Sequence, residues 1–169
     1  MKHWLRLLRH RWLDESDVHR VLDAAALGRL AARVQASERH HSGEIRICIE
    51  AGLPLSYLRR RAPARERAIA MFGKLRVWDT EHNNGVLVYL LLADRAVEIV
   101  ADRGLNLQVD AAAWRALAAG MAEAFRAGRF EEGLAAAVDR VDALLRRHYA
   151  LADGERNPNE LPDQPVVIA

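Results

Sequence analysis

Apolar residues recur along this chain at two spacings, and the places where the spacing changes divide it into elements. Val18, Val21, Leu22, Ala25, Leu30 and Val34 form the stripe of one amphipathic helix, capped by Ser16 and ending near Glu38. After the polar stretch from Arg39 to Gly43 the period shortens. Ile45, Ile47 and Ile49 alternate with Arg46, Cys48 and Glu50, which predicts a strand with one more polar face. Gly52, Pro54 and Ser56 mark a loop, and Pro63 suits the first turn of a helix carrying Ala68, Ile69, Phe72 and Leu75. From Gly85 to Leu92 both faces are apolar, as in a central strand covered on two sides. A short turn around Ala93, Asp94 and Arg95 leads to a return strand over Ala96 to Ala101, so the two form an antiparallel hairpin. Asp110 then caps a helix striped by Trp114, Leu117, Met121 and Phe125. Gly128 separates it from another, striped by Phe130, Leu134, Val138, Val141 and Leu145.

Helix, strand, helix, strand, strand, helix, helix is the order of an α/β fold, a three-layer domain with a small mixed central sheet flanked by helices. The link from the first strand through the Pro63 helix to the Gly85 strand predicts a right-handed parallel crossover. The starts of those strands and the end of the Ala96 strand would then share one sheet edge. Ser42 and Glu44 would approach Asn83, Asn84, Asp102 and Arg103 there. A competing pattern makes Leu75 to Trp78 a strand and Asn84-Gly85 a hairpin turn; helix-forming residues dominate Ala62 to Leu75 and favour the crossover.

Charge divides the ends from the body. Residues 1–15 form a basic amphipathic segment, residues 16–150 the α/β domain, and residues 151–169 an acidic tail with Pro158, Pro162 and Pro165, expected to lie extended over the surface or disordered. In the first twelve residues Lys2, Arg6, Arg9 and Arg11 are mixed with Trp4, Leu5, Leu7, Leu8 and Trp12, without the apolar run of a signal peptide or membrane span. Two uses fit that composition: a helical turn packed on the domain, and an interfacial helix making peripheral contact with a membrane. Cys48 is the only cysteine, so there is no internal disulfide, which fits a cytoplasmic location or one at the inner face of a membrane. The net charge is only +2. Arg59, Arg60 and Arg61 form a short basic cluster without interleaved aromatics, which argues against nucleic acid as a partner.

Several ordered motifs point further. Gly43-Glu44-Ile45-Arg46, the Arg65-Glu66-Arg67-Ala68 helix and Val77-Trp78-Asp79-Thr80 come first. Asn83-Asn84-Gly85-Val86-Leu87, Glu98-Ile99-Val100-Ala101-Asp102-Arg103-Gly104, Gly128-Arg129-Phe130 and Asn159-Glu160-Leu161-Pro162-Asp163 follow. Over roughly residues 40–168 the chain resembles the TPM-domain family, also called TPM phosphatases, in its short soluble bacterial branch. The family is defined by fold more firmly than by activity. Some plant relatives are linked with photosystem repair and a weak acid phosphatase activity, some members bind calcium, and bacterial members occur beside membrane-associated companions of the LemA type. The resemblance therefore implies a membrane-associated protein partner and calcium as the cation to consider.

Candidate chemistry concentrates between Val77 and Gly104. Asp79, Glu81, Asn83, Asn84 and Asp102, with Glu44 at the neighbouring strand start, offer the carboxylate and amide oxygens that Ca²⁺ takes, though without EF-hand spacing. The alternative is structural: Asp79 and Asn84 as caps, Asp102 paired with Arg103 or another arginine. Adjacent His40 and His41, without HExxH or paired cysteines, do not make a transition-metal site. Cys48 reads as a small core residue, since a cysteine phosphatase needs an arginine where Pro54 stands. Asp-x-Asp and Arg-His-Gly phosphatase patterns are absent. The residues thus support a non-enzymatic accessory or interaction module, cation-binding and membrane-associated; the alternative is a weak acid phosphatase assisted by a metal at Asp79 and Asp102.

Overall fold

The computed structural model describes residues 3–169; Met1 and Lys2, the start of the basic segment, lie outside them. The elements in order are α1 (His3–Trp12), α2 (Glu15–Val21), α3 (Ala24–Glu38), β1 (Ile45–Glu50), α4 (Leu55–Arg59), α5 (Ala64–Lys74), β2 (Val86–Leu91), β3 (Ala96–Ala101), α6 (Arg103–Gln108), α7 (Ala111–Arg126), α8 (Phe130–Tyr149) and β4 (Val166–Ile168). The sheet runs β3-β2-β1-β4, and only the β2–β3 pair is antiparallel. The α/β class and the parallel crossover through α5 are as expected, and Asn84-Gly85 is not a hairpin turn.

Strand alternation sends Ile45, Ile47, Ile49, Val86, Val88 and Leu90 into a core shared with α2, α3, α7 and α8. Leu87, Tyr89 and Leu91 join Cys48 in a second core under α4 and α5. Because both faces are covered, all six residues of β1 are buried, the polar ones included. The more polar face of β1 therefore does not meet solvent. Glu50 instead accepts from Arg67 Nε and Nη2 (2.6–3.0 Å) and from the Tyr89 hydroxyl (2.5 Å). Cys48 is likewise enclosed, and burial pushes its thiol up to about 12.

Several local expectations change. The single helix from Ser16 to Glu38 is two, because Asp14 rather than Ser16 caps α2 and Asp23 caps α3 through the Ala26 N–H. Ala26 and Leu27 are buried in place of Val21 and Ala25. On α5 the inward face is Ala64, Arg67, Ala68 and Met71, and Ile69 is exposed. α4 begins within the predicted Gly52 to Ser56 loop, and Asp102 caps α6, neither of which the apolar pattern announces. Gly128, at φ +79°, does separate α7 from α8. The tail is extended and ordered onto the sheet, with Val166–Ile168 pairing parallel to Cys48–Glu50. The Arg46 guanidinium donates to Pro162 O and Gln164 O, and the Leu161 N–H donates to Glu44 Oε2. The prolines keep residues 153–165 out of regular structure but do not prevent these contacts.

Candidate functional site at the sheet edge

Register determines what the polar ends of the strands can share. Ile45 pairs with Val86 and Val86 with Ala101, so Glu44, Gly85 and Asp102 lie in one row across β1, β2 and β3. Two links close it: Val86 N–H donates to Glu44 O, and Asp102 N–H to Gly85 O. Asn84 sits one residue outside that row. Its Nδ2 donates to Ser42 Oγ (3.2 Å), and its own N–H donates to Thr80 Oγ1 (3.1 Å).

The six candidate oxygen ligands separate into three groups. Asp79 is turned aside into an ion pair with Arg76 (2.6 Å), and Asn83 Oδ1 accepts from Arg103 Nε (3.3 Å). Neither is the cap that the structural alternative assigned to Asp79, yet both oxygens are taken up by arginine. Glu44 is wholly buried near the tail acids Glu160 and Asp163, and burial pushes its carboxyl up to about 7. Asn84, Asp102 and Glu81 form the third group. Asp102 caps α6 by accepting the Arg103 backbone N–H with Oδ1 (2.6 Å); it contacts Arg103 through the main chain rather than the guanidinium. Glu81 lines an open cleft of about 640 Å³ with Ser42, His82 and Tyr149. Burial raises the Tyr149 phenol above its ordinary value, and the negative charge of Asp102 adds to the shift.

What distinguishes this edge is an excess of acceptors. Among the described residues, the buried side-chain atoms left without a hydrogen-bond partner are Glu44 Oε1, Asn84 Oδ1, Asp102 Oδ2 and, elsewhere, Trp114 Nε1. Three of the four are oxygens of candidate ligands. Such an atom costs about 1–3 kcal/mol unless a proton, water or cation meets it. For Glu44 the raised carboxyl pKa lets a proton fill that role. Asn84 has no such recourse.

Ca²⁺ binds oxygens at about 2.4 Å, so two ligands of one ion stand at most about 5 Å apart. Glu44 and Asp102 start from backbones two strands apart, about 10 Å. An ion at Asn84 and Asp102 therefore does not also draw on Glu44 unless the side chains converge. Among the described residues no group of three or more His, Cys, Asp or Glu side chains is arranged to hold a metal. The oxygens left for a cation at this edge are thus one carboxylate, Asp102 Oδ2, and one amide, Asn84 Oδ1.

Beyond the candidate ligands and the Glu50 network, three further polar clusters escaped the sequence. Glu38, at the end of α3, accepts the Ile45 N–H (2.8 Å), and burial pushes it up to about 9, with Glu44 and Asp163 adding like charge. Ser37 Oγ donates to Asp142 Oδ1 (2.8 Å) and lies 2.9 Å from His41 Nε2. That set has serine, histidine and aspartate but not the order of a catalytic triad. The aspartate meets the serine, His41 Nδ1 faces Gly43 O (3.0 Å), and burial lowers the imidazole to about 4. It ties α3 to α8 through the His41 segment. Asp94 gathers Arg6, Arg9 and His10 from α1. Partners such as Asp142 and Asp94 lie tens of residues away, beyond the reach of local spacing.

No curated protein matches the chain. Among solved structures, the NMR structure of BA42 protein from the psychrophilic bacteria Bizionia argentinensis sp. nov. is similar, with a TM-score of 0.74 and 24% identity over 86% of this chain and 94% of that one. At that identity the likeness is one of fold. The family model for the TPM domain matches residues 16–144, from α2 into α8, and the chain belongs to the TPM-domain family.

Proposed function

We propose that this TPM-domain protein is a non-enzymatic accessory module that takes up a divalent cation of the calcium type at the Asn84–Asp102 edge and works beside a membrane with a protein partner. The observation that carries the cation reading is the pair of acceptor oxygens, Asn84 Oδ1 and Asp102 Oδ2, left buried and without donors at adjoining strand ends. A carboxylate and an amide oxygen are the ligand types Ca²⁺ prefers, and so few protein ligands suit a weak site. What supports an accessory role over phosphatase chemistry is the use of the acids: Asp79 is held by Arg76 and Asp102 caps a helix. A cation here would still polarise a bound oxygen, so turnover of a phosphate ester is the competing outcome.

Thermal melting with added calcium tests the reading. With a Kd of about 1 mM and about 10 mM calcium, mass action adds about 1.4 kcal/mol to stability, which raises Tm by about 3–6 °C for a chain of this size. Asp102→Asn keeps the cap, since asparagine caps helices as well as aspartate, and is expected to abolish the shift. An unchanged Tm in the parent protein, or an equal shift in the variant, refutes the site.

A further inference from the structure

The outward face of α1 has no use within the fold. Inward, the helix is fixed to the domain: Arg6 Nη2 and His10 Nε2 meet the Asp94 carboxylate (2.8 and 3.0 Å). The Leu53 N–H donates to His10 Nδ1 (2.9 Å), and Arg6 donates to Ala62 O (3.2 Å). The fit is close, because a Cβ on Gly52 would lie 2.5 Å from His10 O. Outward, the same helix shows solvent Trp4 (56% exposed), Leu5 (42%), Leu8 (46%) and Trp12 (81%). Trp4, Leu8 and Trp12 are spaced i, i+4, i+8 and form one stripe. At 100° per residue Arg9 falls on one side of that stripe and Arg11 on the other. The helix His3–Trp12 contains no acid.

Neighbouring chain extends the surface. Leu55, also exposed, follows two residues after the Leu53 amide that holds His10, and the Arg59-Arg60-Arg61 run immediately precedes Ala62, which holds Arg6. Arg60 is paired with Glu66 and stacked on Tyr57, whereas Arg59 and Arg61 are exposed.

We propose that this face docks the protein on an anionic lipid bilayer, with α1 lying in the headgroup plane. Trp4 and Trp12 sit at the boundary, Leu5 and Leu8 reach the acyl region, and Arg11, Arg59 and Arg61 meet lipid phosphates, whereas Arg9 is shared with Asp94 at 3.3 Å. The proposal rests on the reading of the protein as a module beside a membrane and names the surface and lipid charge. Charge selects the occupant: an apolar stripe bordered on both sides by arginine matches a negatively charged interface. A second copy of the same face would set arginine against arginine.

Co-sedimentation of the full chain with vesicles of phosphatidylglycerol and phosphatidylcholine in equal parts, against phosphatidylcholine alone, tests it. Binding is expected to the anionic vesicles and to weaken with salt. Arg11→Gln/Arg59→Gln should lower the partition coefficient about 25-fold, about fivefold for each arginine. Leu8→Ser/Trp12→Ser should lower it at least about tenfold with an unchanged melting curve, since both side chains are exposed. Equal sedimentation of parent and variants overturns the proposal, as does absence of binding. A dimer in the parent that Leu8→Ser/Trp12→Ser dissolves also overturns it. The calcium-induced Tm shift uses none of these residues, so failure on vesicles leaves the cation reading standing and failure of the shift leaves this one.

Discussion

Arg67→Met removes the cation from the most deeply enclosed ion pair of the domain. Arg67 supplies Glu50 with contacts of 3.0, 2.9 and 2.6 Å, and Tyr89 adds one of 2.5 Å. The side chains of Glu50 and Arg67 are only 1% and 8% exposed, so water does not replace a lost partner. Leaving one buried charge unpaired costs about 3–5 kcal/mol, which corresponds to a fall in Tm of about 6–20 °C for a domain of this size. The Tyr57 ring, 5.3 Å from the guanidinium, adds a smaller loss. Urea unfolding should show a lower midpoint with an unchanged slope. The second half of the test replaces the whole network: Glu50→Leu/Arg67→Met/Tyr89→Phe has no orphaned polar group and should return to within about 1 kcal/mol of the parent. Two results refute the reasoning. One is a cost below about 1 kcal/mol for Arg67→Met, which would mean that the pair is solvated. The other is a triple variant as unstable as the single one, which would mean that the network does more than compensate its own burial.

Two other perturbations follow from groups whose ionisation the fold disturbs. Burial raises Glu38 to about 9 from 4.5, so the folded protein holds a proton that the unfolded chain has released. This contribution is complete below the unfolded pKa and is lost as pH rises toward about 9. Glu38→Gln retains an acceptor for Ile45 and should match the parent near about pH 5 but exceed it by roughly 1–3 kcal/mol near about pH 9 in urea unfolding; a pH-independent difference refutes this. His41, lowered to about 4 from 6.5, acts oppositely, with stability present above the unfolded value and lost as pH falls toward about 4. Burial alone would raise Asp94, but the bonds from His10 and Arg6 hold it below its ordinary value. Its contribution is lost as pH falls below 3.8. Asp94→Ala should release α1 while the sheet persists, seen as faster hydrogen exchange confined to residues 3–12, by about tenfold or more; unchanged exchange refutes the latch.

Apolar periodicity carried the sheet and the long helices because burial on one or both faces leaves a direct record in residue order. On α7 and α8 the predicted Leu117, Met121 and Phe125, then Phe130, Leu134, Val138, Val141 and Leu145, are all buried, and only Trp114 of the predicted stripes is half-buried at the edge of the core. The failures have physical reasons. Val18, Leu22, Ala26 and Leu30 keep a four-residue spacing across the α2–α3 break, so the stripe conceals it, and only Asp23, a capping residue, betrays it. α4 and α6 are five and six residues long, too short for a periodic pattern. β4 is three residues paired with β1, and the chain before it is held by Arg46 at Gln164 and by Glu44 at Leu161, contacts set by tertiary structure. At the candidate edge the strand order read from the sequence brings Glu44, Gly85 and Asp102 into one row. It did not reveal that Arg76 takes Asp79 or that Asn84 keeps an unpartnered oxygen, because side-chain pairing depends on rotamer and burial.

The two ends of the sheet are handled oppositely, and this bears on orientation. Open α/β sheets usually bind ligands beyond the carboxyl ends of their parallel strands. Here that end is closed: Asp94 after β2 is satisfied by α1, and Glu50 at the end of β1 by Arg67 and Tyr89. At the other end acceptors outnumber donors, with Glu38 and Glu44 raised toward protonation and Asn84 and Asp102 left with bare oxygens. A cation would relieve charge at that second end and would only compete with arginine at the first. The strands between are six residues long, about 20 Å. With α1 on a bilayer, the Asn84–Asp102 edge would therefore stand about 20 Å or more from the lipid surface, beyond about two Debye lengths at physiological ionic strength. Cation uptake would then be insensitive to lipid charge, and adding anionic vesicles should leave the calcium-induced Tm shift unchanged. A shift that grows or disappears with the vesicles would place the cation near the membrane and refute this arrangement.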